Sequence, residues 1–265
     1  MKKILLAMIG FGFAANAYSQ EAADKKIQAG VVAGFGMNFN KPGTKVIERK
    51  GVGKDVTIGA NLNWNFTPTI GLNLGLEFDF ESFRYASTTD SLTYRYEDTK
   101  ILQKEDPTTA TQSTFLLSER KQRATYLSIP TMILFRTKYI GYFRYFGKFG
   151  ARTSILLGNS IDDKGKTLVG DVNVTKNSGM KAAGDMFFLK STVGLAGGAE
   201  WNFSGTTCLV AELGFYYGFT PMHNGEAIAG SDKQRNMTIY NASKDAYTTL
   251  SAKQSQLMLK VSILF

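Results

Sequence analysis

Few side chains in this sequence can do chemistry. It holds one histidine, His223, and one cysteine, Cys208. A single histidine excludes His-paired metal motifs, and a single cysteine excludes a Cys-cluster metal site and an internal disulfide. The adjacent acids Asp162-Asp163 and Glu105-Asp106 lie in polar segments and read as solvated side chains rather than metal ligands. Gly51-Val52-Gly53-Lys54 lacks the Gly-Lys-Ser/Thr ending of a phosphate loop and the helix that must follow it. His223 shares a polar segment with Ser231-Asp232, which is raw material for acyl transfer. The competing reading is a solvated loop histidine. The expectation is a protein with no cofactor and no metal, and not an enzyme. Cys208 is expected to pack quietly near a turn.

A second polar set is more orderly. Glu77, Asp79, Lys148, Arg152, Lys190, Glu200, Glu212 and Lys260 are four acids and four bases, each inside an otherwise apolar run. The elements that position them have a period of two. Val56, Ile58, Ala60, Leu62, Trp64 and Phe66 are apolar, while Thr57, Gly59, Asn61, Asn63 and Asn65 are not. After Thr67-Pro68-Thr69 the pattern restarts with Ile70, Leu72, Leu74, Leu76, Phe78 and Phe80. This is a strand pattern, and the pair reads as a hairpin. Further alternating runs are Ile27–Met37, Phe187–Phe203, Leu209–Phe219 and Leu257–Phe265. Tyr126–Phe135 carries Pro130, which predicts a bulge or slip. Tyr145–Leu157 is apolar on much of both faces. The total is eight strands.

Short turns near 67–69, 136–144 and 204–206 alternate with long polar segments near 39–55, 81–123, 159–185 and 220–254. That layout predicts an all-β fold, a closed antiparallel up-and-down transmembrane β-barrel of eight strands with four long extracellular loops. Ten strands are the alternative, if 81–123 hides a hairpin around Ser91–Tyr96 and Thr114–Leu117.

Period two does not say which face is inside. Aromatics gather at the short-turn ends: Trp64, Phe66, Phe143, Tyr145, Trp201 and Phe203. This matches a girdle at a membrane interface. The chain ends in Phe265 on an alternating strand, which resembles the C-terminal assembly signal of outer-membrane barrels. The apolar face is therefore expected outward and the eight charges inward, as a lumenal network. Glu212 lies five past Thr207 and Lys260 five before Phe265. Consecutive antiparallel strands put them at one height, so a Glu212–Lys260 pair is expected, and with it a Lys148–Glu200 pair.

The address is at the N-terminus. Lys2 and Lys3 precede an apolar stretch from Ile4 to Ala15 and small residues at Ala17 and Ser19. This is the pattern of a secretory signal peptide, residues 1–19, cleaved after Ala17 or Ser19, with the barrel domain over 20–265. No later window approaches 18 consecutive apolar residues, so no transmembrane helix is expected. The formal net charge is +9. The first long segment is the most biased, with Lys41, Lys45, Arg49, Lys50 and Lys54 against Glu48 and Asp55. A basic rim attracts the phosphates of lipopolysaccharide or an anionic partner. Nucleic acid is not expected.

Several motifs together resemble the Bacteroidota outer-membrane β-barrel family that includes PorT-like proteins, over roughly residues 20–265. They are Tyr126-Leu127-Ser128-Ile129-Pro130, Phe149-Gly150-Ala151 through Leu156-Leu157-Gly158, Val193-Gly194-Leu195-Ala196-Gly197-Gly198, and Glu212-Leu213-Gly214-Phe215-Tyr216-Tyr217-Gly218-Phe219. The position matching Ser128 is often acidic in that family, so the chain departs there. The resemblance implies an outer-membrane location with periplasmic termini, insertion by the barrel-assembly machinery, and a structural or interaction role. Some PorT-like members take part in type IX secretion, so secretion-system proteins are candidate partners. The alternative role is a narrow porin-like channel. A rim-located lipid A-modifying enzyme is the third. PagL-type deacylases resemble the chain in size, but their His with a Ser two residues on is absent from Met222-His223-Asn224-Gly225. PagP-type enzymes use His, Asp and Ser, which here only His223 and Ser231-Asp232 could supply.

Overall fold

Eight runs with one apolar wall each must turn all those walls to the same side, and a ring of strands does so. The computed structural model describes residues 25–90, 92–97, 100–102, 114–169, 171, 173–180, 186–204, 207–223, 238–241, 246–249 and 252–265. Its long strands are β1 (Ile27–Pro42), β3 (Gly53–Asn65), β4 (Ile70–Ser87), β7 (Thr114–Arg136), β8 (Phe143–Val169), β10 (Leu189–Ser204), β11 (Thr207–Gly218) and β14 (Ala252–Leu264). Six short strands decorate one end: β2 (Ile47–Arg49), β5 (Leu92–Glu97), β6 (Lys100–Leu102), β9 (Lys176–Met180), β12 (Thr238–Asn241) and β13 (Ala246–Thr249).

Each long strand pairs antiparallel with the next, and β14 returns to β1. The eight-strand ring is closed and presents no open edge. The hidden hairpin does form, as β5 against the first residues of β7 from Thr93–Leu116 to Arg95–Thr114, but β7 is itself a ring strand and β5 lies above the ring, so the ring stays at eight. The outer wall is apolar: Val31, Phe35, Ile58, Leu76, Leu213, Phe215, Leu259 and Val261 are all exposed. On β4 the apolar outer row runs from Ile70 to Phe80, about the length a tilted strand needs to cross a bilayer.

The strands outrun that belt. β7 has 23 residues and β8 has 27. The long polar segments are therefore partly strand: β4 continues to Ser87, β7 begins at Thr114 and β8 continues to Val169. The sequence hid these extensions because their outward residues are polar. Arg84, Lys121, Arg123 and Lys164 replace the apolar signal where the wall leaves lipid for water.

Pro130 causes no slip. Leu74 pairs Thr131 and Glu77 pairs Ser128 in one unbroken register. Gly75 makes the room, since a Cβ there would lie 2.7 Å from Pro130 Cγ. The bulge lies opposite, on β8. Thr125 faces Gly158 and Tyr126 faces Leu156, which leaves Leu157 unmatched. One extra residue reverses the parity of a strand. Below Leu157 the inward residues are Arg152 and Ser154; above it they are Ile161 and Asp163. Below the bulge, Tyr145–Leu157 keeps one parity, and its inner face is apolar because Phe146 packs inside with Leu134, Val210 and Leu264.

Candidate functional site

The inner wall is built in layers. All eight residues of the sequence-derived network are buried: Glu77, Asp79, Lys148, Arg152, Lys190, Glu200, Glu212 and Lys260. At the short-turn end Glu200 binds both Arg136, at 2.9 Å, and Arg144. Arg136 also donates to Asn65 Oδ1 at 2.6 Å, and the Arg144 guanidinium lies 4.7 Å from the Tyr139 ring centroid. Beside them Cys208 is fully buried among Leu134, Phe146, Val210 and Leu264.

Above this, Lys148 Nζ meets Glu212 at 2.6 Å. Glu77 then accepts from Lys260 at 2.7 Å and from Arg152 at 2.7 Å. Arg152 also binds Asp79 at 2.6 Å, and Asp79 accepts from Thr57 and Ser128. Ser128 and Ser154 hydroxyls lie 2.6 Å apart. A layer higher, Lys190 binds Glu81, and Gln256 donates to Asp55 at 3.0 Å and Glu81 at 2.8 Å.

The expected Glu212–Lys260 and Lys148–Glu200 pairs are not formed. Glu212 and Lys260 do stand opposite in register, on β11 and β14. Their charges turn away from each other because small residues open other routes. A Cβ on Gly34 would sit 3.0 Å from Lys260 Cγ, and one on Gly59 would sit 3.1 Å from Glu77 Cγ. Each charged chain therefore lies across a bare stretch of β1 or β3 and meets its partner three strands away. Lys148 reaches Glu212 past β10, where its register partner is Ala196 and that of Glu212 is Gly198. Lys148 and Glu200 do not stand at one height: Glu200 lies opposite Arg144 and Lys148 opposite Ala196, four residues further along both strands, so Glu200 takes the arginines at its own level. A double-mutant cycle should give about 1–3 kcal/mol of coupling for Lys260–Glu77 and well under that for Lys260–Glu212. Equal couplings would contradict this pairing.

Further buried charges complete the wall: Asp55, Glu81, Arg136, Arg144, Arg120 and Asp163. Extending the alternation one residue beyond Val56, Phe80 and Phe135 puts Asp55, Glu81 and Arg136 inward, so that signal was present. Asp163 was hidden by the bulge.

The long-loop end is closed by an apolar cap. Phe83, Tyr85, Leu92, Tyr94, Phe115, Tyr126, Ile161, Met180, Met186 and Met222 form one buried cluster. His223 sits in it with 1% exposure, its Nε2 3.0 Å from Gln122 Oε1 and its ring 5.9 Å from that of Tyr85. The solvated-loop reading of His223 is therefore corrected. Ser231-Asp232 and Glu105-Asp106 lie outside the described residues. Asp163 is likewise not solvated; it holds Arg120 through two bonds of 2.8 and 2.6 Å. Burial pushes the Tyr94 hydroxyl upward from its usual range, and the Lys50 hydrogen bond holds the Glu119 carboxyl below its usual range. Among the described residues, no three His, Cys, Asp or Glu side chains gather as metal ligands.

On the outer wall Trp64, Phe66, Phe143, Tyr145, Trp201 and Phe203 are exposed at the short-turn end. Trp64 and Phe66 meet edge to face at 5.2 Å, and Phe143 stacks on Trp201 at 6.0 Å. The Phe265 amide donates to Ala29 O at 2.8 Å and seals the chain end into the ring.

A closed ring with an apolar exterior and paired charges inside is a membrane design, and the family comparison agrees. A model for "Outer membrane protein beta-barrel domain" matches residues 16–224. The chain belongs to that family. As an outer-membrane barrel it is a multi-pass protein of the bacterial cell outer membrane. No curated protein matches the chain. Similar solved structures include Ail, the attachment invasion locus protein of Yersinia pestis, at 11% identity and TM-score 0.35, covering 91% of this chain and 100% of that one. OprG from Pseudomonas aeruginosa is similar at 10% identity and TM-score 0.41, covering 92% and 98%. The outer membrane protease OmpT from Escherichia coli is similar at 11% and 0.38, covering 94% and 99%. In barrels of this kind the short turns face the periplasm and the long loops face outward. The cap and the long strand extensions of this family member then stand on the cell surface.

Proposed function

We propose that the chain is a non-conducting outer-membrane scaffold that displays its extended rim to a partner in an envelope assembly. The carrying observation is the filled interior beneath an oversized rim. Lys260–Glu77 joins strands three places apart in a ring of eight, and the apolar cap closes the lumen above. Meanwhile β8 is more than twice as long as a crossing strand needs to be. The finer reading rests on the PorT-like resemblance: the assembly is a secretion complex of the type IX kind. A porin-like channel finds no support in a lumen packed this way. Nor does a rim enzyme find support in a histidine held against Gln122.

The test has two parts. Tagged protein is drawn from gently solubilised outer membranes, with and without deletion of the 88–113 segment, and its companions are identified by mass spectrometry. Recovery of secretion components that the deletion abolishes supports the scaffold. Recovery of the barrel with lipid alone sinks it. In planar bilayers the protein should show no defined single-channel steps; regular openings would instead make it a pore.

A further inference from the structure

A cleft of about 330 Å³ opens on the outer wall of β4, β7 and β8, at the level of the rim. Lys50, Arg84, Lys121, Lys164 and Lys176 border it, against Glu119 and Asp162 near the mouth and the buried Arg120–Asp163 pair at its base. Strand alternation shows that this face points away from the lumen. Arg84 lies between the buried Phe83 and Tyr85, Lys121 between the buried Arg120 and Gln122, and Lys164 follows the buried Asp163.

The charges do not cancel. Glu119 takes Lys50 and stands 3.8 Å from Lys164. Asp162 takes Arg123 and the Gly179 amide. Among the described residues, the side chains of Arg84, Lys121 and Lys176 then make no hydrogen bond or ion pair. Three cations from three different strands converge on one concavity, and the two acids nearest them, Glu119 beside Arg84 and Asp162 opposite Lys121, are already bonded to Lys50 and Arg123.

Its height matters as much as its charge. Phe80, half exposed at the top of the apolar row, lies four residues below Arg84 on the same face. At about 3.3 Å per residue and a tilt near 40°, that is about 10 Å of vertical rise. The intervening outward residues are Ser82, Arg123, Thr125 and Ser160, a polar band in place of lipid contact. A lipid with its acyl chains against Phe80, Leu127 and Leu157 puts its headgroup at the cleft.

We infer that this cleft seats the phosphate of an outer-leaflet lipid headgroup, with Arg84, Lys121 and Lys176 as the clamp. A planar guanidinium beside two mobile ammonium groups suits a phosphate with several acceptor oxygens. The site is independent of the scaffold reading and needs only that the barrel stands in its membrane.

The test uses the full chain folded in neutral detergent micelles. The probes are diphosphorylated lipid A, the same lipid with both phosphates removed, and inorganic pyrophosphate alone. Bound lipid is quantified by native mass spectrometry. Substituting Arg84→Gln, Lys121→Gln and Lys176→Gln together should weaken diphosphorylated lipid A about tenfold or more. The matched control, Lys41→Gln with Lys45→Gln and Lys253→Gln on other parts of the rim, should change it less than about twofold. Dephosphorylated lipid A should bind the unaltered protein no better than the diphosphorylated form binds the triple variant. Three results would each overturn the inference: full affinity in the triple variant, an equal loss in the control, or pyrophosphate binding as tightly as lipid A. The last would mark a free-anion site instead. All six positions are solvent-facing, and heat-dependent gel mobility verifies that both variants fold.

Discussion

Replacing Arg152 by Met is expected to lower the unfolding free energy by about 3–5 kcal/mol, the cost of leaving a buried charge without its partner. Arg152 is 1% exposed and is the common partner of Glu77 and Asp79. Its removal leaves Glu77 to Lys260 alone and leaves Asp79 with only hydroxyl donors. Urea unfolding in lipid vesicles, followed through Trp64 and Trp201 fluorescence, measures the effect. Adding Asp79→Asn alone to the Arg152→Met background should recover much of the loss, because the one carboxylate left without a cation then disappears while Glu77 keeps Lys260. The exposed Lys50–Glu119 pair supplies the contrast: Lys50→Ala should cost under about 1 kcal/mol. A loss as small as that for Arg152→Met would mean that water solvates the lumen, and the filled interior would lose its support.

The same residues show what the sequence made legible. Alternation alone was enough for eight strands, their order, and the inward side of Glu77, Arg152 and Lys260, because a period of two fixes every side chain once one is placed. For height it served Glu212 and Lys260, which do stand opposite, but not Lys148 and Glu200, since Glu200 lies opposite Arg144. It could not choose partners. Height is a one-strand property, whereas the path of a long side chain depends on what its neighbours leave empty. Gly34 and Gly59 made that choice for Lys260 and Glu77.

Two further failures have the same local character. A single unmatched residue, Leu157, reversed the parity, which otherwise would have placed Asp163 outside. Above the apolar belt the outward row became charged, so strand and loop looked alike in β4, β7 and β8. His223 was misplaced for the complementary reason. A polar sequence neighbourhood says nothing about a cap built from distant apolar residues such as Phe83, Phe115 and Met180.

That cap carries the second large effect. Phe83→Ala should cost about 3–5 kcal/mol, the range for an aromatic removed from a packed core with its cavity left behind. Phe83 is fully buried and clusters with Tyr85, Phe115 and Tyr126. Phe80 lies three residues earlier on the same strand, but it points outward and is half exposed. Phe80→Ala leaves no cavity, since acyl chains flow into the vacated space, so only part of the transfer term of about 1.5–3 kcal/mol is lost. The comparison isolates packing from hydrophobicity, because the two substitutions delete the same atoms from one strand. Unfolding free energies in one lipid decide the matter. A Phe83 cost well above the Phe80 cost identifies the cap as a true core outside the bilayer. Equal costs would mean that the rim is loosely filled, and the closed upper lumen on which the scaffold reading leans would fail with it.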